Sequence, residues 1–158
     1  MAEDELPPKE DVKEMPNVLR MSEATTLGIH AMVYLANHRS DDKPKTHSVH
    51  EIASHLNASE AHLAKVLQRL AHVGHLRSMR GPKGGFTLAK KPNQITFLDV
   101  YEALEGPFEI NRCLFSAPIC GRADCIMGGL IEKVETEVRT YLEQTTLATV
   151  AKGEDCTK

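Results

Sequence analysis

Apolar residues along this chain recur mostly at the three- and four-residue spacing of amphipathic helices, interrupted once by a short stretch with strand rhythm. From Ser22, the positions Leu27, Ala31, Tyr34 and Leu35 predict a helix reaching about His38, and the polar run 39–46, with two aspartates and Pro44, predicts a loop. Ser48 and Glu51 have the spacing of a capping box, in which hydroxyl and carboxylate each satisfy a free backbone N–H at a helix start. Val49, Ile52, Ala53 and Leu56 then give one apolar face. Asn57-Ala58 is a tight break, and Ser59 is placed to cap the next helix. Its buried stripe is Leu63, Val66, Leu67 and Leu70, and Gly74 marks its end. Two helices joined by so short a turn, the second carrying basic residues outward, describe a helix-turn-helix.

The rhythm changes at 75–79 and 86–89, two short strand-like runs around Arg80-Gly-Pro-Lys-Gly-Gly85, which predict a hairpin, the wing of a winged helix. Thr96 and Asp99 then cap a helix running to Glu105 and stopped by Gly106-Pro107. The last helix is predicted over Met127–Gln144, with Met127, Ile131, Val134, Val138 and Tyr141 on one side and glutamates on the other. A lone helix with such a stripe must bury it, and pairing two subunits is one way. The expected fold is therefore mainly α with a small β-hairpin: a winged helix-turn-helix domain plus a long C-terminal dimerisation helix. The expected organisation is a flexible acidic arm over 1–20, the DNA-binding domain over 21–107 and a cysteine-rich cluster-binding loop over 108–126. The dimerisation helix and C-terminal segment follow over 127–150, and a tail over 151–158.

Charge sharpens this picture. The 158 residues carry a net charge of −3, an unpromising sum for a nucleic-acid binder, but distribution decides. Between Ser59 and Lys91 the only carboxylate is Glu60, against Lys65, Arg69, Arg77, Arg80, Lys83, Lys90 and Lys91. A helix entering the major groove needs small or polar side chains near its start for base edges and cations for phosphates. Ser59, Ala61, His62 and Lys65 fill the first part of that role, with Gln68 and Arg69 further along and nearer the DNA backbone. Arg80 and Lys83 would meet a minor groove or flanking phosphates, and neighbouring glycines such as Gly84 let the backbone approach closely. No apolar run is long enough to span a bilayer, and the start lacks a secretory pattern, so a cytoplasmic protein with reduced thiols is expected. Among His47, His50, His55, His62, His72 and His75, most are expected to face solvent. No nucleophile signature accompanies them, and no enzyme is expected.

In that setting Cys113, Cys120 and Cys125, within thirteen residues, invite attention. They do not form the close pairs of a zinc site, whereas thiolates spaced in a loop suit an iron–sulfur cluster, which takes four ligands in all. Inert thiols, a cluster-free thiol switch and an electron-transfer protein are the competing readings. Cys156 in the tail has no assigned role.

The segments Arg20-Met-Ser22, Gly28-Ile-His-Ala31, Ser78-Met-Arg-Gly-Pro-Lys-Gly-Gly-Phe-Thr-Leu-Ala89, Ile95-Thr96 and Ala103-Leu-Glu-Gly-Pro107 resemble the Rrf-2 family of bacterial regulators, which includes the IscR and NsrR types. The likeness extends from about Arg20 to Val150 and is most specific in the wing. It implies a homodimer on a palindromic operator in double-stranded DNA, with the last helix pairing the subunits. In many members it implies a [2Fe-2S] or [4Fe-4S] cluster in the loop before that helix, which makes Cys113, Cys120 and Cys125 its first candidate ligands. The fourth ligand differs among members. The IscR type has a histidine three residues beyond the last cysteine, where this chain has Gly128. The NsrR type has a first-helix aspartate, where this chain has Thr26. A third group uses a first-helix histidine, and His30 stands there. The resemblance implies a transcription regulator sensing redox state, nitric oxide or iron supply.

Overall fold

The computed structural model describes residues 21–39, 45–113 and 126–151. The arm at 1–20, Cys120, Cys125 and the tail from 152 lie outside the described residues. Helix α1 (Glu23–Asn37) starts where Ser22 Oγ accepts the Thr25 N–H at 3.2 Å, with Glu23 at the electropositive end of the helix. Helices α2 (Val49–Leu56) and α3 (Glu60–His72) follow, each with a serine, Ser48 and Ser59, as N-cap. Asn57, in the left-handed conformation, makes the turn between them, as the sequence predicts. Strands β1 (Leu76–Met79) and β2 (Gly85–Leu88) pair antiparallel, with Leu76 opposite Leu88 and Met79 opposite Gly85. A 3₁₀ turn at Pro92–Gln94 leads into α4 (Phe97–Glu105), where Thr96 and Asp99 do form the reciprocal capping box. The last elements among the described residues are α5 (Leu130–Gln144) and a short α6 (Leu147–Val150) that the apolar pattern did not announce.

One core holds these elements. Met32 of α1, Ile52 of α2, Leu63, Leu67 and Leu70 of α3, Ile95, Val100 of α4 and Leu147 of α6 are all fully enclosed. Each such side chain contributes on the order of 1.5–3 kcal/mol relative to exposure. The return of α6 is fixed by backbone pairing. Thr145 O accepts from Phe97 N–H at 2.9 Å, and Leu147 N–H donates to Ile95 O at 3.0 Å, so the chain after α5 clamps the entry to α4. A second, smaller cluster of Leu98, Phe108 and Leu142, with Val138 and Tyr101 against it, seats the C-terminal half of α5.

Two expectations are corrected here. The last helix begins at Leu130 and not at Met127, because Gly128 and Gly129 both take positive φ (57° and 76°) and Gly129 becomes its N-cap. Met127 therefore stands before the helix and off its stripe. The box at Ser48 is only half made: Ser48 Oγ accepts the Glu51 N–H at 3.1 Å, while the Glu51 carboxylate turns to His47 and Tyr34.

The hairpin is tied to the body by His47, whose N–H donates to Phe86 O (3.0 Å) and whose O accepts from Phe86 N–H (2.8 Å). Gly85 makes that approach possible. Its φ is +152°, and a Cβ there would lie 2.3 Å from His47 O. Gly85→Ala is thus expected to destabilise the protein by about 1–3 kcal/mol, since the neighbour it meets is backbone that cannot swing away. Thermal unfolding checks this, and an unchanged Tm would show that the hairpin does not press against this segment.

Candidate nucleic-acid interface

The recognition face exists because α3 must bury one side. Leu63, Val66, Leu67 and Leu70 point into the core, which leaves Ala61, Lys65, Gln68 and Arg69 exposed on the outside. Ser59 accepts the His62 N–H at 3.5 Å, so its hydroxyl is engaged as a cap. His62 is half-buried and lies 3.8 Å from Glu23 of α1. Arg69 also acts inward, on Glu105 of α4. Burial pushes the Glu105 carboxyl up, but donors from Ser22 and Thr25 together with the charge of Arg69 prevail and hold it below the usual carboxylate value.

At the wing tip Arg80 and Lys83 are both exposed, while Gly84 is drawn inward: its N–H donates to Gly81 O at 2.8 Å, closing the turn. Thr46 Oγ1 donates to Lys83 O at 2.9 Å, tying the tip to the segment that leads into α2. The structure thus keeps Ala61, Lys65, Gln68, Arg69, Arg80 and Lys83 in solvent, and gives Ser59, His62 and Gly84 structural partners.

Sequence reasoning missed the group that locks helix-turn-helix and wing together. His50, His55 and His72 are exposed as expected and His62 is half-buried, but His47 and His75 are buried. His47 Nδ1–H donates to Glu51 Oε1 at 2.8 Å, Tyr34 Oη–H donates to the same oxygen at 3.2 Å, and His38 stacks on Tyr34 with ring centroids 4.1 Å apart. Tyr34 sits on α1, Glu51 on α2, and His47 bridges to β2, so one carboxylate joins three parts of the reader. The available signal was positional: His47 precedes the Ser48 cap, where residues commonly pack inward.

This arrangement carries a likeness at the level of the whole chain. The family model Rrf2, described as "Iron-dependent Transcriptional regulator", matches residues 21–153. The chain belongs to the Rrf2 family. It is 28% identical over 145 residues to the HTH-type transcriptional regulator NsrR of Halalkalibacterium halodurans, covering 87% of this chain and 93% of that one. Among solved structures it resembles CymR, the global cysteine regulator of B. subtilis, with a TM-score of 0.68 at 29% identity, covering 84% of this chain and 96% of that one. It also resembles T. potens IscR, with a TM-score of 0.62 at 30% identity, covering 82% and 84% respectively. The Rrf2 fold, mainly helical with a two-stranded hairpin, is the winged helix-turn-helix that the pattern predicts. The family is one of DNA-binding transcriptional regulators and not of enzymes. No helix among the described residues is long and apolar enough to cross a membrane.

Of the three cysteines at positions 113, 120 and 125, the described residues include Cys113, half-buried and without a disulfide. The segment before it is bound to α5: Arg139 Nη1 donates to Phe108 O at 3.0 Å, Asn111 N–H donates to Glu135, and Arg112 pairs with Glu132 at 3.3 Å. His30 is exposed on α1. Its Nδ1–H donates to Thr26 O at 2.7 Å, which leaves Nε2 as a free acceptor. It borders an apolar groove of about 430 Å³ formed with Met21, Ile29, Phe97, Val138 and Tyr141. Among the described residues no three potential metal ligands converge.

Along α5, Ile131, Val134 and Val138 are half-buried, Tyr141 is 63% exposed, and the side chain that anchors the helix to its own subunit is Leu142, one position off the predicted stripe.

The hydrogen bond from His47 holds the Glu51 carboxyl below its ordinary value of 4.5, against the opposing effect of burial. Its contribution is therefore complete above that value and is lost as pH falls through the lower folded-state value. Glu51→Gln is expected to cost about 0.5–1 kcal/mol at neutral pH, the range for a partly solvated pair. That cost should shrink to nothing in acid, which denaturant titrations of both proteins at several pH values would check.

Proposed function

We propose that the protein acts in the cytoplasm as a homodimeric repressor. It would read a palindromic operator through two copies of α3 and the wing, with affinity set by an iron–sulfur cluster. The observation that carries the DNA reading is the coincidence of faces. The exposed side of α3 and the tip of the hairpin, tied to α2 through His47 and Glu51, carry Lys65, Arg69, Arg80 and Lys83, four of the seven cations of the one strongly basic segment. The pairing surface would be α5 and the groove beside it. Five of the seven large exposed hydrophobics among the described residues, Ile110, Ile126, Met127, Leu130 and Tyr141, flank or lie on that helix. Ile131, Val134 and Val138 would complete the contact with a second copy of this chain.

For the cluster, the donor set fits in kind: thiolates at Cys113, Cys120 and Cys125, with the free Nε2 of His30 as the fourth candidate. When bound, the cluster would supply a redox- and ligand-sensitive centre. The chain's own part is mechanical. Asn111 and Arg112, held by Glu135 and Glu132, make α5 the element that would feel any change of position at Cys113. The spacing of the two α3 helices would then alter relative to successive major grooves. The likeness to the global cysteine regulator CymR supports a second reading, in which Cys113 chemistry or a partner protein carries the signal without a cluster.

Protein purified without oxygen is expected to contain iron and acid-labile sulfide in stoichiometric amounts with visible absorption, and His30→Ala is expected to alter that spectrum. Iron-loaded and iron-free protein should differ in operator affinity by at least about tenfold, roughly 1.4 kcal/mol. Colourless, iron-free protein that still binds its operator would favour the second reading. Binding to duplex DNA should weaken steeply with salt, and Arg80→Ala and Lys83→Ala should each reduce the slope of log affinity against log salt by about 1. An unchanged slope in both variants would take the wing off the DNA.

A further inference from the structure

Glu60 is the single carboxylate between Ser59 and Lys91, and it stands at the first position of α3, amid the residues that face DNA in the reading above. A bare carboxylate there repels phosphates, so its presence in an otherwise basic segment calls for a reason. Its side chain is 56% exposed, yet it is not free to wander: Nδ1–H of His50, near the start of α2, donates to Glu60 Oε1 at 2.6 Å. His50 is itself 77% exposed, and its hydrogen bond to Glu60, together with the carboxylate's charge, raises its pKa above the ordinary histidine value. One oxygen of the carboxylate is thus engaged from within the protein, which favours one rotamer before DNA arrives, and Oε2 remains to accept from outside.

A carboxylate can only accept, which limits what it can read in the major groove. Guanine presents acceptors at N7 and O6, and thymine presents O4 and a methyl group, so both are rejected. Adenine offers an amino group with the N7 acceptor alongside, which repels a second carboxylate oxygen. Cytosine offers its N4 amino group alone, and this is the matching edge. We propose that Glu60, positioned by His50, is a specificity-determining residue that selects cytosine through its N4 amino group in the major groove. This rests on the DNA reading proposed above. The bond from His50 also reduces the electrostatic cost of the carboxylate, because the N–H dipole points at Oε1 and offsets part of its charge.

The test is selection of duplexes from a randomised operator library by the full-length protein, followed by affinity measurements on the selected site and its single-base variants. Wild-type protein is expected to enrich cytosine at one symmetry-related pair of positions and to discriminate against other bases there by about tenfold or more. Glu60→Gln should move that preference toward adenine, because an amide pairs with both N6 and N7 of adenine. His50→Ala should keep cytosine but with discrimination reduced several-fold, since Glu60 then loses its brace. A merely structural Glu60, stabilising the start of α3, would lower Tm in Glu60→Gln and leave base preference unchanged, and that result overturns the proposal alone. Absence of salt-dependent duplex binding by the wild type would overturn the DNA reading along with it.

Discussion

The architecture depends on the burial of one face of α1 between α3 and α4. Ala31 and Met32 are fully enclosed, Leu35 nearly so, and opposite them Leu63, Leu67 and Leu70 of α3 have no other place to go. Truncating a leucine in such a position costs about 2–5 kcal/mol, a large part of the stability of a domain this size. The rotation of α3 about its own axis is therefore not negotiable. With four residues committed to the core, Glu60, Ala61, Lys65 and Gln68 have to face outward, and the geometry of reading is a by-product of packing. The wing obeys the same logic from the other side. Phe86 is buried, and its two backbone bonds to His47 hold β2 against the body while the Arg80–Lys83 tip stays in solvent.

What the sequence made legible follows from this. Stripes of four apolar residues with a serine cap are local signals, and α1 to α4 lie within a residue or two of where spacing and caps put them. Glu51 was misread because its carboxylate had two possible partners, a backbone N–H three residues back and a buried histidine. The choice was made by Tyr34, which is distant in sequence. Met127 fitted the spacing of the α5 stripe, but adjacent glycines at positive φ cost less outside a helix than within it, and the helix starts after them. Leu142 and Leu147 were missed for a different reason. Their burial depends on the chain doubling back to pair Thr145 and Leu147 with Phe97 and Ile95, a contact over about fifty residues that no periodicity reveals. Of the candidate site, the basic outer residues were legible because exposure follows from the stripe. The partners of Ser59, His62 and Arg69 were not, since those contacts join separate helices.

Electrostatics here is organised by pairing rather than by sum. Carboxylates close to the reading face are each engaged: Glu60 by His50, Glu23 near His62, Glu105 by Ser22 and Thr25. Exposed pairs of this kind add little to stability, because solvent screens them and both side chains lose freedom. Their effect on a polyanion is larger than their effect on the fold. A carboxylate bonded to a histidine presents a smaller and fixed negative charge, and lysines and arginines nearby then dominate the local field even though the whole chain is acidic.

The route from Cys113 to the DNA face can be followed in hard contacts. Phe108, Asn111 and Arg112 are fastened to α5 through Arg139, Glu135 and Glu132, and α5 is seated by Leu142 against Leu98 and Phe108. Beyond Leu142, the strand-like pairing of Thr145 and Leu147 grips the first residues of α4, and α4 packs against α1 and α3 through Val100, Ala103 and Leu104. Close-packed interiors move as blocks, so a displacement at Asn111 is passed to α5 through Glu135. The compliant element is the N-terminal half of α5, where Ile131 and Val134 are only half-buried, in contrast to its C-terminal end. A helix stiff at one end and loosely held at the other is suited to swing about its Leu142 anchor. In a dimer paired along α5, such a swing would turn the two DNA-reading bodies relative to each other without disturbing either core.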